Sequence, residues 1–571
     1  MKKNSLLKKS GVEAYFIIYL ISFLFSLYGC ATISKADIPT NVEIQKSLPP
    51  IVTPESGEVL KSCGHIKPLD SGVCSVIPGS NYLLITGNVL TSDEVLVGGS
   101  VYVNPQGIIE NVSCDIPENV KKDNPTIINC PSGVISPGLI NAHDHITWDQ
   151  NYPAKWGTKR YNHRNEWRSN GHPDMPYNPG KEDQFPWSEL RQVLSGTTSI
   201  AGSGGTPGFL RNLDRKDLLE GLNADAAYYN VFPLGDSKEP IMLPSGCNYP
   251  KIDDPSNVLT TQCYIPHVAE GINQAANNEI HCMDVNKLVT SKSNFIHAMG
   301  ALAKDGYLLS AKGTSIIWSP RSNISLYGNT AIVTMYKNLG INIALGTDWT
   351  PSGSMNLLRE LKCADFFNKN YLRSFFSDKD LWKMVTANAA DGLQLSNQIG
   401  RLKNGLIADI AIYDGSISSN PYRAIIDANV ENVALVLRGG IPLYGDSNIM
   451  KSIPRGQDGC EDFPGGINGK PKIVCAKRET GIDFDTLQKN NINSYPLFFN
   501  GTPIDEPTCI PSRVGEYTGE RTPDDFDGDG IPNEKDNCPY VFNPIRPLDN
   551  GIQADCNNNG IGDACDPKPC E

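Results

Sequence analysis

GVISPGLINAHDHI, residues 133–146, is an apolar run that ends in two histidines, His143 and His145, set two apart. On an extended strand residues i and i+2 face the same way, so both imidazoles aim at one point, as a metal site requires. Alone, an HxH is a weak signal. Its meaning depends on the residues further along the chain.

Downstream, strand-like runs alternate with helical ones: TTSIAGSG (197–204), AAYYNVFPLG (226–235), CYIPHVAE (263–270), NFIHAMG (294–300), TSIIWSP (314–320) and INIALGTD (341–348), with amphipathic stretches such as AIVTMYKNLG between them. Such alternation predicts an α/β fold, a (β/α)8 TIM-like barrel over 136–397, with a doubly wound open sheet as the alternative. Before it lie three short β-rich runs, YLLITGNVL, VLVGGSVYV and GIIENVSC, and after it IGRLKNGLIADIAIYDG and VENVALVLRGGIPLYG. These flanks, 80–135 and 398–446, are expected to join as one small composite β-sandwich domain. Residues 447–520 carry no readable pattern.

Of the eight histidines, His143, His145, His267 and His297 fall at or near the ends of these strands, and Asp348 ends another. Active sites of such barrels sit at the C-terminal ends of the strands, and imidazoles plus one carboxylate form a normal zinc shell with a position left for water. Taken singly, His267 reads as a hydrogen-bonded core residue and Asp348 as a helix cap. Their coincidence at strand ends points to a shared site. His163, in RYNHRNEW, is a candidate substrate contact, and Trp148, Trp318 and Trp349 are candidates for an aromatic wall.

At these residues the chain resembles the amidohydrolase superfamily. PGLINAHDH is similar to that family's first-strand signature, HVAE (267–270) to its strand-five histidine with a glutamate three residues on, FIHAMG to its strand-six histidine, SPRSN (319–323) to its PxSN segment, LGTD to its strand-eight aspartate, and TANAADGLQL to its closing signature. The resemblance covers roughly residues 80–446 and implies a metal-dependent hydrolase. By that resemblance His143, His145, His267 and Asp348 hold one Zn²⁺, with Fe²⁺ or Mn²⁺ as other fillings. Asp348 takes a proton from the attacking water, His297 steadies the developing charge, and Glu270 shuttles a proton to a small, heterocyclic substrate, breaking a C–N bond. Trp318 and Asn323 are substrate-binding candidates on the same ground. Two-metal members carry a strand-four lysine, and AAYYNVFPLG has none. A two-metal cyclic amidase and a catalytically inactive calcium-dependent surface binding protein are the alternatives. Two departures stand out: Asn141 replaces an aspartate, and Trp318 a histidine.

The chain opens with four lysines and the apolar run AYFIIYLISFLFSLYG (14–29), followed by Cys30. Sixteen apolar residues are short for a spanning helix, which needs about 20. LYGC resembles a bacterial lipobox, so residues 1–29 are expected to be a signal peptide, Cys30 lipidated, and 30–79 a tether holding an exported lipoprotein at the bacterial outer membrane. Fifteen further cysteines then leave one unpaired; Cys63 with Cys74, Cys114 with Cys130 and Cys247 with Cys263 are plausible local pairs.

Residues 521–571 hold eleven acidic and four basic side chains, −7 of the net −13. There is no basic stripe, so nucleic acid is not an expected partner. Asp525, Asp527 and Asp529 alternate before a glycine, and Asp555, Asn557 and Asn559 repeat the spacing, a pattern that can wrap Ca²⁺. This tail resembles thrombospondin type 3 repeats, which implies Asp536, Asp563 and Asp566 as further calcium ligands and Cys538 with Cys556 as a staple. The repeats are also expected to meet a surface partner.

Overall fold

The computed structural model describes residues 59–64, 66–116, 118, 120–170 and 178–571. The expected signal peptide, Cys30 and the tether as far as residue 58 lie outside these, as do His65 and His172. Eight short parallel strands form the centre: β1 (Leu139–Asn141), β2 (Thr197–Ile200), β3 (Arg211–Asn212), β4 (Tyr228–Asn230), β5 (Tyr264–Val268), β6 (Asn294–His297), β7 (Ser315–Trp318) and β8 (Ile343–Leu345). β1 to β3 pair in order, and so do β4 to β8. Ala227 N–H donates to the Leu213 carbonyl (2.8 Å) across the β3–β4 gap, and Ala142 N–H donates to the Leu345 carbonyl (3.2 Å) across the β8–β1 gap. A parallel bridge between Asp144 and Asp348 completes the ring. The sheet is therefore a closed barrel, and the open doubly wound alternative falls.

The alternation of inward residues explains why the mouth is polar. Ile140, Ala201, Leu213, Ile265, Ile296, Ile317 and Ala344 pack together inside the ring. Cys263, just before β5, and Ile265 on it precede His267 at period two, so the histidine tops an apolar column. Helices follow most strands and end where side chains or glycines satisfy their termini. Asn273 caps Gln274–Val285 by accepting from Ala276 N–H, Asn356 caps Leu357–Tyr371 through Arg359 N–H, and Gly313 and Gly328 close two helices at φ 70° and 69°.

The flanks build one eleven-stranded mixed sheet. Its joint is the antiparallel pairing of Ile410–Asp414 with Pro125–Pro137, which runs straight into β1. The sheet extends beyond the expected flanks, taking in Val59–Ser62, Ser75–Ile77, Glu461–Asp462 and Lys472–Val474. Its disulfides are Cys63–Cys114, Cys74–Cys130 and Cys460–Cys475. The local pairs expected from sequence are thus replaced by pairs across strands. Cys247 joins Cys282, Cys363 joins Cys509, Cys538 joins Cys565 and Cys556 joins Cys570, while Cys263 stays free and buried.

A buried ion pair fastens barrel to sheet. Arg211 on β3 donates a fork to Asp409 (3.0 and 2.8 Å), and both side chains are only 2% exposed. Removing one partner of such a pair leaves an unmatched buried charge, at a cost of about 3–5 kcal/mol. Arg211→Met is expected to lose stability in that range in urea unfolding; a loss under about 1 kcal/mol would mean that the joint is held elsewhere.

Candidate active site

His143 and His145 leave β1, His267 ends β5, His297 ends β6, and Asp348 follows β8. Their ring centroids lie close together: 4.8 Å between His143 and His267, 5.0 Å between His143 and His145, and 5.3 Å between His267 and His297. Asp348 Oδ1 is 3.4 Å from Nε2 of both His143 and His145. The ligating atoms of His143, His145 and His267 lie within 4.8 Å of one another, as do those of His143, His297 and Asp348. The backbone bends to achieve this. His297 and Asp348 have φ of 68° and 56°, a left-handed conformation uncommon for non-glycine residues.

Burial decides the charges. It holds the His145 and His297 imidazoles down at about 4 and about 3, and His267 well below its ordinary value, so all three are neutral. Burial also pushes against ionisation of Asp348, but the His143 imidazole 3.4 Å away, with His145 and His297 around it, outweighs this and holds its carboxyl below the usual range. Ser322 Oγ donates to Asp348 Oδ2 (2.6 Å) and Trp349 N–H to Oδ1 (2.9 Å). Burial drives the Glu270 carboxyl up to about 8, Asp348 adding to this while Arg164 opposes it. Tyr327 donates its hydroxyl to Glu270 Oε1 (2.7 Å), and Glu270 Oε2 faces His297 Nε2 at 3.7 Å.

The three predicted substrate contacts, Trp318, Asn323 and His163, stand outside the cleft lining. Trp318 does not line the cleft: its indole N–H donates to Thr330 Oγ1 (2.7 Å), Thr330 donates to Asn323 Oδ1 (3.2 Å), and the Asn323 amide reaches His297 Nδ1 (2.9 Å). With its oxygen committed to Thr330, Asn323 presents N–H to His297, which places the imidazole proton on Nε2. Asn323 is thus a partner of His297 outside the cleft lining. His163 also lies outside that lining, fully buried, with Nε2 3.3 Å from Glu279 Oε1 and Nδ1 accepting from Asn165 N–H. Asn141, where the family resemblance sets an aspartate, donates to Asp144 Oδ2 (2.9 Å) and Thr347 Oγ1 (2.6 Å). Burial and the neighbouring Asp149 carboxyl hold Asp144 well above the carboxylate range, so an amide is the compatible neighbour.

Sequence reasoning missed Tyr229. It enters from β4, level with Ile265 on β5, and its hydroxyl lies 3.3 Å from His143 Nδ1 while donating to the Asp144 carbonyl (3.1 Å). Its inward position could have been read from the period-two pattern of β4. Burial keeps its phenol well above its ordinary value, so β4 brings in a neutral hydroxyl where a bridging lysine is absent.

Above these groups opens a cleft of about 660 Å³, with His145, His267, Glu270, His297 and Asp348 on its floor. Trp148, Trp167, Trp349 and Phe232 line its walls, Trp349 lying 6.0 Å from each of the other two tryptophans.

Residues 265–442 match the profile described as the amidohydrolase family. Over that stretch, about a third of its length, the chain is similar to the amidohydrolase family. Residues 523–546 match the thrombospondin type 3 repeat. Among curated relatives, a 5-methylthioadenosine/S-adenosylhomocysteine deaminase of Clostridium tetani is 31% identical over 130 residues, 22% of this chain and 30% of that protein. A namesake from Pyrococcus furiosus is 23% identical over 371 residues, 58% of this chain and 85% of its own length. An adenosine deaminase structure from Xanthomonas campestris, with bound zinc, has the same fold at TM-score 0.50 and 17% identity, over 72% of this chain and 97% of that one.

The relay behind His297 gives a stability test. Thr330→Val keeps the shape but strips Trp318 Nε1 and Asn323 Oδ1 of their shared partner. Unmet buried polar groups cost about 1–3 kcal/mol. Chemical unfolding of this variant is expected to show that loss; wild-type stability would place water at the relay instead.

Proposed function

We propose that the protein is an exported metal-dependent amidohydrolase that removes an amino group from a small planar heterocycle. The observation that carries this reading is the floor of the cleft, where three neutral imidazoles and one ionised carboxylate converge beside a carboxyl held in its acid form. The donor set fits a divalent transition ion. His143 Nε2 and His267 Nδ1 are buried without a hydrogen-bond partner, and His143, His145, His267 and Asp348 offer the N/O shell that zinc takes. Zinc is the proposed filling; Fe²⁺ and Mn²⁺ suit the same ligands.

A divalent ion held there supplies Lewis-acid activation of water. The chain's own groups do the remaining work. The tryptophan walls sandwich a planar ring and exclude bulk water. Asp348, steadied by Ser322, accepts a proton as water adds to the ring carbon. His297 presents its Nε2–H to the charge that develops there. Glu270, protonated and oriented by Tyr327, hydrogen-bonds a ring nitrogen and delivers a proton to the departing amine.

The C-terminal repeats are proposed to hold Ca²⁺. Asp525, Asp527 and Asp529 bring carboxylate oxygens within 4.8 Å of one another. Burial first, and then crowding by its neighbours, pushes Asp527 up to about 9, and Asp527 Oδ2 and Asp536 Oδ2 are buried without partners. A hard cation satisfies such oxygens. In the second repeat Asp566 Oδ2 accepts from Asn557 and Asn559, Asp555 accepts from Asn559 and Gly560 N–H, and Asp563 from Cys556 N–H. The seven disulfides among the described residues suit an oxidising compartment. Lipidation at Cys30 and an outer-membrane location complete the proposal, and mass spectrometry of the mature N-terminus tests them.

Ammonia release from a panel of amino-purines, amino-pyrimidines and amino-triazines is expected for the full chain, with about one transition ion per barrel by plasma mass spectrometry. His267→Ala is expected to lose the ion, and Glu270→Gln to keep it while kcat falls about 10²–10⁴-fold. A metal-loaded protein inert on the whole panel would overturn the deaminase reading.

A further inference from the structure

The C-terminal segment is docked against the barrel, and some of its polar contacts fall on the segments that follow β1, β5, β6 and β7. Arg513, 8% exposed, donates Nη1 to the carbonyls of Tyr161 (3.1 Å) and Tyr327 (2.8 Å). Tyr327 is the residue whose hydroxyl holds Glu270, and Trp167 of the cleft wall donates to that same hydroxyl (3.1 Å). Tyr517 donates to the carbonyl of the next residue, Gly328 (3.2 Å). A second arm reaches the loop after β6. Arg546, 4% exposed and gripped by Asp549 through two bonds of 3.0 and 2.9 Å, donates Nη1 to the carbonyls of Met299 and Ala301, each at 3.2 Å. Those carbonyls lie two and four residues beyond His297, just past the two left-handed residues His297 and Ala298. Leu548 N–H adds a bond to the Ile272 carbonyl after β5 (3.3 Å).

The first acidic loop lies between the two arms in sequence and touches the base of each. A Cβ at Gly528 would stand 2.8 Å from the Gly519 backbone, and one at Gly530 would stand 2.6 Å from the Glu516 carbonyl oxygen, so this loop lies directly on the turn that carries Arg513 and Tyr517. On its other side Asp529 Oδ2 accepts from Asn543 N–H (3.3 Å), at the root of the Arg546 arm. Three carboxylates this close repel one another until a cation sits between them.

We propose that Arg513 and Arg546 are positioning residues for Glu270 and His297, and that calcium in the 525–536 loop fixes their placement. The proposal rests on the hydrolase reading of the barrel and on calcium filling that loop. The repeats are then a working part of the site, and calcium tightens the two post-strand loops without touching substrate.

Hydrogen exchange on the full chain tests this, with and without Ca²⁺ alone as the probe and with barrel metal measured in every sample. In the wild type, calcium is expected to slow exchange in 525–536 and also, by about tenfold, in 297–301 and 325–328. Arg513→Met with Arg546→Met is expected to keep the first effect and lose the second, with kcat down about tenfold and KM within about twofold, while the two Arg→Lys changes restore part of both. Asp527→Asn is expected to abolish the calcium response everywhere. Protection confined to 525–536, or no calcium response at all, overturns the proposal. Failure of the hydrolase reading is separate: the calcium-linked exchange persists in a protein that turns over nothing.

Discussion

The structure depends on the seam where the first and last barrel strands meet, because the residue that closes it also collects the charge of the site. Asp348 N–H donates to the His143 carbonyl (3.1 Å) while its carboxylate lies 3.4 Å from two imidazoles. Its left-handed backbone is strained, at a cost of about 1–3 kcal/mol for such residues, and persists because Ser322, Trp349 and the seam over-determine it. Gly346 is the steric condition for the seam: a Cβ there would sit 2.5 Å from His143 Cβ. Closing the ring and bringing His143, His145 and Asp348 together are one event, so loss of the seam dismantles the site.

Much of this was legible in the sequence, and the reasons it stopped being so are physical. The barrel showed through seven runs because each carries an inward apolar column ending in a polar residue. The missing run, β3, has two residues, too few for any periodicity, and its Arg211 is defined by a partner 198 residues away. The histidines and Asp348 could be named from their places at strand ends. Trp318 could not be placed, since its neighbour Ile317 takes the inward position and leaves the indole outside the ring. The cysteines misled because nearness along the chain is a poor guide to nearness across a sheet. Val59–Ser62 pairs with Glu94–Val103, and that puts Cys63 beside Cys114, 51 residues on.

The acidic tail illustrates the same limit in the other direction. Its spacing of acidic residues is local and could be read from the chain, whereas its docking is long-range and could not. Phe542 packs on Phe367 and Tyr371 of the barrel helix Leu357–Tyr371, and the Cys363–Cys509 bridge ties that helix to the segment leading into the repeats. An acidic composition alone suggests a solvated, independent segment. Apolar side chains spaced among the acidic turns are what convert it into a packed face.

That the contacts between this face and the barrel mouth are so often arginines to carbonyls results from how the mouth is built. Ala269, His297, Ala298 and Asp348 all turn into the left-handed region as the strands end, which takes the chain off the sheet ladder and strands the carbonyls just beyond. Buried carbonyls need donors. An apolar cover would bury them unmet, at about 1–3 kcal/mol each, and water would leave the loops free to move. A guanidinium offers five donors in a planar fork, enough for Arg546 to hold Met299, Ala301 and Asp549 together and for Arg513 to hold Tyr161, Tyr327 and Asn162. The left-handed turn at His297 and Ala298 thus leaves the carbonyls that Arg546 meets, while Arg513 meets those of Tyr161 and of Tyr327 at a helix end.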